Sequence, residues 1–238
     1  MTAMISAPGR LVARALLRIH RPIALWFWGV MILCAAVVQS VATLVGSSDF
    51  PGGAWTLIAG SATRYWMLVI GILLVVLHLR AFVANGITRR DFTLGAAVFG
   101  LVCAAGFGVL LLLGHAVETA LFDTAGGEPV SYLPTTVGGA AAELGRTVPA
   151  LAAFLVSGLL IGTAYYRFHP LAATLLIVPS LVPAALAGWT LTVGDIGSMS
   201  DVPMPYAAGL ALTLTAVVIA SLVARRLLGD VAIRRTAG

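Results

Sequence analysis

The sequence predicts an all-α integral membrane protein: six transmembrane helices preceded by an amphipathic interfacial helix, with both termini cytoplasmic. Three observations carry this. First, 60% of the 238 residues are apolar, only 10% are charged, and the mean hydropathy is +1.04. A soluble domain carries about 25% charged residues, so this composition leaves too few to clothe a soluble surface. Second, six apolar runs reach the roughly 20 residues that a helix needs to cross about 30 Å of hydrocarbon. Third, the arginines gather on one side of those runs. Open strands would leave backbone groups unpaired in lipid, so the runs are helices.

The first element lies in residues 1–22. Within 8–20, PGRLVARALLRIH, Arg10, Arg14 and Arg18 recur every four residues, and Arg21 falls on the same face. At 100° per residue, Leu11, Val12, Ala15, Leu16 and Ile19 project on the other side, with Leu17 the misfit. Pro8 is placed to open the helix, and Pro22 to bend the chain into the membrane. A basic amphipathic helix of this kind lies in the inner interface. It serves either as an anchor that holds the N-terminus inside or as a lever joining a cytoplasmic partner to the first span.

The six spans fall at about 23–46, 65–84, 92–117, 147–166, 170–193 and 206–224, giving a transmembrane domain of 23–224 and a basic tail of 225–238. The first run is too long for the apolar region of a cleaved signal peptide, so it is a retained span. Arg10, Arg14, Arg18 and Arg21 precede it. Arg80, Arg89 and Arg90 surround the second-to-third connection, Arg167 lies between the fourth and fifth spans, and Arg225, Arg226, Arg234 and Arg235 follow the sixth. The opposite loops hold Asp49, Glu118, Asp123, Glu128, Glu143, Asp195 and Asp201, with Arg64 and Arg146 as their cations. This asymmetry puts both termini inside. Aromatic pairs at span ends, Trp26 with Trp28, Tyr65 with Trp66 and Tyr165 with Tyr166, match rings at headgroup level, as do Trp189 and Tyr206.

Composition also removes several chemistries. All fourteen basic residues are Arg. Without Lys, neither a Walker A phosphate loop nor Schiff-base chemistry is available. Cys34 and Cys103 sit in apolar runs and make neither a disulfide framework nor a CxxC metal site. Four scattered His residues are a poor metal set. Ser157 with His115 or His78 is the only conceivable intramembrane hydrolase pair, and a weak one. No Asp, Glu or Lys lies near the middle of a span, where an ion-coupled carrier usually keeps its acid. His78 and His115, near span ends, are the remaining relay candidates and read better as interfacial residues.

The second-to-third connection, RAFVANGITRRDF, is compact. Asn85-Gly86 signals a turn, Thr88 is an N-cap for the next helix, and Arg89, Arg90 and Asp91 open the third span. The positive-inside rule alone accounts for two arginines. A turn, a cap, two cations and an acid together make a knob that suits a groove on a partner.

The stretch GITRRDF resembles the inner-loop signature of bacterial ABC transporter permeases of the type-2 exporter class. The layout resembles that class too, with an interfacial helix, six spans, both ends inside and no ATPase domain on the chain. The resemblance implies that Gly86, Ile87, Thr88, Arg89, Arg90, Asp91 and Phe92 form the coupling helix that seats on a separate ATPase subunit. It further implies a permease subunit in the bacterial cytoplasmic membrane, paired with itself or a sister subunit and served by two ATPase copies. ATP and Mg would sit on those copies, with no cofactor on this chain. The process implied is export of an amphipathic compound, drug or peptide. The class often has a longer outer segment after the fifth span; here 194–205 is short and 118–146 is the long one. A non-transporting scaffold or immunity-type protein and an ion-coupled secondary carrier are the alternatives.

Within the spans, Ala96, Gly100, Ala104 and Gly108 in the third, and Gly158 and Gly162 in the fourth, form small-residue stripes that let helices approach. They serve packing within the subunit or a dimer contact. Pro179 and Pro183 kink the fifth span, as a hinge or pathway element or as ordinary membrane prolines. Glu143 and Arg146 are spaced to pair on one helix face.

Overall fold

The computed structural model describes residues 7–45, 54–124, 136–191 and 204–229. Among them every regular element is helical and none is a strand. Five helices are long and apolar enough to cross a membrane: Pro8–Val41, Ile58–Ala84, Arg89–Leu121, Val137–Arg167 and Tyr206–Gly229. That is the make-up of an all-α, multi-pass membrane protein. Asp49, Glu128, Asp195, Asp201, Arg234 and Arg235 lie outside the described residues.

In chain order, α1 is Ala7–Val45. The second long helix consists of α2 (Ser61–Leu73), π-helical turns at Thr56–Gly60 and Leu74–Leu79, and a last segment α3 (Arg80–Ala84). Helices α4 (Arg89–Thr124) and α5 (Val137–Arg167) follow. Short α6 (Pro170–Leu175), α7 (Ile177–Ser180) and α8 (Val182–Thr190) precede α9 (Tyr206–Gly229). The expected outer segment 118–146 is therefore shorter than the hydropathy pattern implies, because α4 and α5 both run on into it.

Helix α1 is one rod of 39 residues with Pro22 inside it. The bend expected there does not divide it. Proline removes one backbone donor, and the exposed ring of Pro22 presses on nothing packed. An interfacial helix set apart from the first span is thus not what this segment forms. The 34-residue apolar stretch is about 51 Å long, roughly 14 residues more than hydrocarbon requires. That surplus matches 8–21, where Arg10, Arg14, Arg18 and Arg21 are all exposed. The packed face is Gly9, Val12, Ala13, Leu16 and His20, whereas Leu11 and Ile19 remain outside. A Cβ on Gly95 of α4 would meet Val12 Cβ at 2.6 Å and Gly9 O at 2.7 Å, so the bare glycine is what lets α1 seat.

Helix α5 is the central post, in contact with α2, α4, α8 and α9. Its small-residue stripe packs inside the subunit. A Cβ on Gly158 would strike the carbonyl oxygen of Leu68 in α2, and one on Gly162 would lie 2.9 Å from Ile72 O. Reciprocally, a Cβ on Gly71 would strike Leu155 O. Gly100 of α4 faces Leu155, and Gly108 faces Val148 and Leu144. Backbone thus touches backbone where α2 crosses α5, the arrangement by which small residues bring membrane helices together.

The described part of the expected fifth span, 170–191, is not a single rod. Breaks fall at Leu176 (φ −75°, ψ −7°) and Leu181 (φ −83°, ψ −8°). Pro179 and Pro183 explain both, since each lacks the N–H that would serve the carbonyl four residues earlier. Two side-chain bonds support the chain at these breaks. Ala184 N–H donates to Ser157 Oγ of α5 at 3.1 Å, a cap supplied from another helix. Ser180 Oγ donates to Leu176 O at 2.7 Å. Ser157→Ala should therefore lower stability by about 1–2 kcal/mol, read as an earlier thermal transition in detergent. A melt like that of the parent chain would show that the cap contributes nothing.

Candidate functional site

The connection from α3 to α4 is built turn by turn. Asn85 leaves the helix at φ −90°, ψ 18°, and its Nδ2 donates to Ala81 O at 2.8 Å. Gly86 follows at φ +84°, the left-handed region that L side chains avoid. Ile87 N–H donates back to Phe82 O at 3.1 Å, and its side chain packs on the core. Thr88 then caps α4: its Oγ1 accepts from Asp91 N–H at 3.1 Å and donates to the Asp91 carboxylate at 2.6 Å. Phe92 is buried, with its ring 5.7 Å from that of Phe82. Five of the seven expected loop residues thus hold the loop's own shape.

The two arginines have different surroundings. Arg89 Nη1 donates to Leu228 O at 3.2 Å and to Gly229 O at 3.1 Å. Arg167 Nη1 donates to Leu227 O at 2.9 Å. The last carbonyls of a helix have no intrahelical donor and carry partial negative charge, so these guanidinium groups complete the end of α9. Arg90 is exposed, as is Arg80. The structure therefore ties α3, α4, α5 and α9 together at this end and leaves Arg90 outward.

A cleft of about 320 Å³ begins near the same end, between α1, α2 and α4. Helix α1 lines it from Leu17 to Trp28 and α4 from Phe99 to Leu110, a length of about 16 Å along either axis. Trp66 and Ile70 of α2 complete the lining. Packed rings stand at the far end: Phe27 on Trp66 at 4.5 Å, Trp28 on Trp55 at 5.8 Å, and Phe107 edge-on to Trp28 at 5.3 Å. Trp55 is fixed in turn, with Nε1 donating to Leu111 O at 3.1 Å and N–H to Glu118 Oε1 at 2.9 Å. Trp28 and Trp66 therefore turn inward rather than joining a headgroup belt. Trp26 and Tyr65, at 78% and 65% exposure, do face outward.

Two imidazoles meet at the arginine-rich end of the cleft. His20 Nδ1 donates to Leu16 O at 3.0 Å, and its ring lies 5.0 Å from that of His78 and 4.9 Å from that of Phe99. His78 sits in the π-helical turn Leu74–Leu79, and its buried Nε2 has no hydrogen-bond partner. At the opposite end, His115 Nδ1 contacts Glu143 Oε1 at 2.5 Å. Arg146 does not pair with Glu143 as its spacing implied; it stacks over the Tyr206 ring at 5.1 Å. The nearer imidazole on α4 wins the carboxylate.

The expected site residues do not converge on one place. The coupling-loop group and Arg21 both lie at the arginine-rich end, Arg10, Arg14 and Arg18 line the outer face of α1, and neither Pro179 nor Pro183 lines the cleft. Sequence reasoning missed His20, Phe107 and Arg167 as working residues, and did not foresee Ser157 as a cap for Ala184. The apolar neighbours of His20 were the one available signal. Among the described residues no group of three or more His, Cys, Asp or Glu side chains stands where a metal ion could be held. No protein-family model, curated protein or solved structure matches the chain.

Proposed function

We propose that this chain is the membrane-spanning permease subunit of an ATP-driven exporter of the type-2 ABC class. In this reading 170–190 counts as a sixth, broken span, both termini are cytoplasmic, and the membrane is the bacterial cytoplasmic membrane. A second permease copy or a sister subunit completes the pore. Two copies of a separate ATPase subunit supply ATP and Mg, and the cargo is an amphipathic compound, drug or peptide.

One observation carries the reading. The α3–α4 connection is a self-capped knob, bonded through Arg89 to the end of α9, with Arg90 left facing outward. A partner closing on Arg90 would push on α4 and α9 together, which is what coupling a remote ATPase to a membrane bundle needs. The lack of any Asp, Glu or Lys at mid-span supports an external energy source. The test is a detergent pull-down of the tagged chain, with mass spectrometry of its partners. Recovery of an ATP-binding-cassette subunit is the expected result; a chain that purifies alone, and reconstitutes no ATP-dependent transport, refutes it.

A proton-coupled carrier is the second reading, favoured by the buried His20–His78 pair. It requires transport that follows a pH gradient and ceases in His78→Gln. Under the exporter reading the same variant still transports with ATP.

A further inference from the structure

The cleft between α1, α2 and α4 is open toward the bilayer, and its chemistry restricts what fills it. Its rim carries Leu25 and Leu110, 64% and 40% exposed, and its depth carries Ile70, Phe99 and Cys103. At about 320 Å³ it lies within the size range of small-ligand sites, and its lining is almost wholly apolar. A hydrated ligand would recover few of its hydrogen bonds there, with the Nε1–H groups of Trp28 and Trp66 the donors left without a partner among the described residues. The charge is all at one end. Arg21 lines the mouth and is exposed, and Arg14 and Arg18 continue outward along the same helix. Among the described residues no acid lines the cleft to offset them. The far end is lined by the rings of Trp28, Trp66 and Phe107, so the cleft has one charged end and one apolar end.

From that polarity we infer that the cleft is a binding site for an anionic phospholipid from the arginine-rich side of the membrane. The upper part of one acyl chain lies along the roughly 10 Å between Arg21 and Trp28, and the phosphate head group pairs with Arg21. A helix continuous through Pro22 makes this possible, because it holds the guanidinium of Arg21 in register with the apolar wall beyond it. A zwitterionic lipid has the same chains but gains less from a column of cations. The site is a property of this one chain and does not depend on any ATPase or cargo.

Brominated acyl chains quench indole on contact, so Trp28 and Trp66 report occupancy directly. The full-length chain, with Trp26→Phe, Trp55→Phe and Trp189→Phe so that Trp28 and Trp66 are the remaining indoles, would be reconstituted in phosphatidylcholine vesicles. Brominated phosphatidylglycerol or brominated phosphatidylcholine is then titrated in at equal mole fraction. Quenching should show about fivefold preference for the anionic lipid. Arg21→Ala should reduce that preference to near one while leaving the fold intact, since the side chain is exposed. Ala24→Phe, which fills the cleft, should abolish quenching by both lipids at Trp28 and Trp66. Equal quenching by the two lipids in the parent chain, or a preference that survives Arg21→Ala, overturns the assignment. Undiminished quenching in a folded Ala24→Phe chain places the lipid elsewhere and overturns it too.

Discussion

Gly158→Leu should yield no folded, detergent-extractable protein, and Gly158→Ala should lower stability by about 2–3 kcal/mol. The argument is geometric. A Cβ at this position strikes the carbonyl oxygen of Leu68, a backbone atom that no rotamer change moves. Relief requires α2 and α5 to separate, and that opens the contacts of Gly71 with Leu155 and of Gly162 with Ile72 at the same time. Gly29 and Gly106 are the internal controls. Both are helical glycines with nothing near the place a Cβ would take. Alanine there should raise stability by up to about 1 kcal/mol through helix propensity. Thermal melting of the three alanine variants in one detergent checks the contrast, and the extractable yield checks Gly158→Leu. A Gly158→Ala chain that melts with the Gly106→Ala chain would mean that α2 and α5 do not cross here.

Arg89 and Arg90 should separate completely, although they are adjacent in sequence and alike in chemistry. Arg90→Ala should leave stability within about 0.5 kcal/mol of the parent, as exposed substitutions do, and should abolish recovery of the ATPase in the pull-down. Arg89→Ala should lower stability by about 1 kcal/mol, because the carbonyls of Leu228 and Gly229 lose a charged donor at a half-exposed site. Its ATPase recovery should fall only in part. Paired melting and pull-down measurements decide this. If Arg90→Ala keeps its partner, or melts early while Arg89→Ala does not, the division of labour between them is wrong.

The apolar runs that became α1, α2, α4, α5 and α9 were legible because lipid allows a long apolar segment few structures other than a helix. The small-residue stripe on α5 was legible for the same reason, though which helix it meets was not. Proline was ambiguous. Pro22 left α1 whole, while Pro179 and Pro183 lie beside breaks, and exposure alone does not separate them: Pro22 and Pro179 are both exposed, and Pro183 is buried beside the Ser157 cap. The roles of Arg89 and Arg90 could not be told apart, since the carbonyls that hold Arg89 lie 139 and 140 residues along the chain. Trp28 and Trp66 sit where belt aromatics sit, and only the positions of Phe27, Trp55 and Phe107 turn them inward. Long-range partners of this kind leave no periodicity to read.

The segmented run from Pro170 to Thr190 also sets an order on how the protein is made. A long helix is complete in lipid by itself, because its interior backbone groups are satisfied within the segment. The pieces here are 6, 4 and 9 residues long, too short to persist unaided, and one of their amides finds its acceptor only on α5. The rods must therefore be in place first, and this stretch acquires its shape last, against a post already standing.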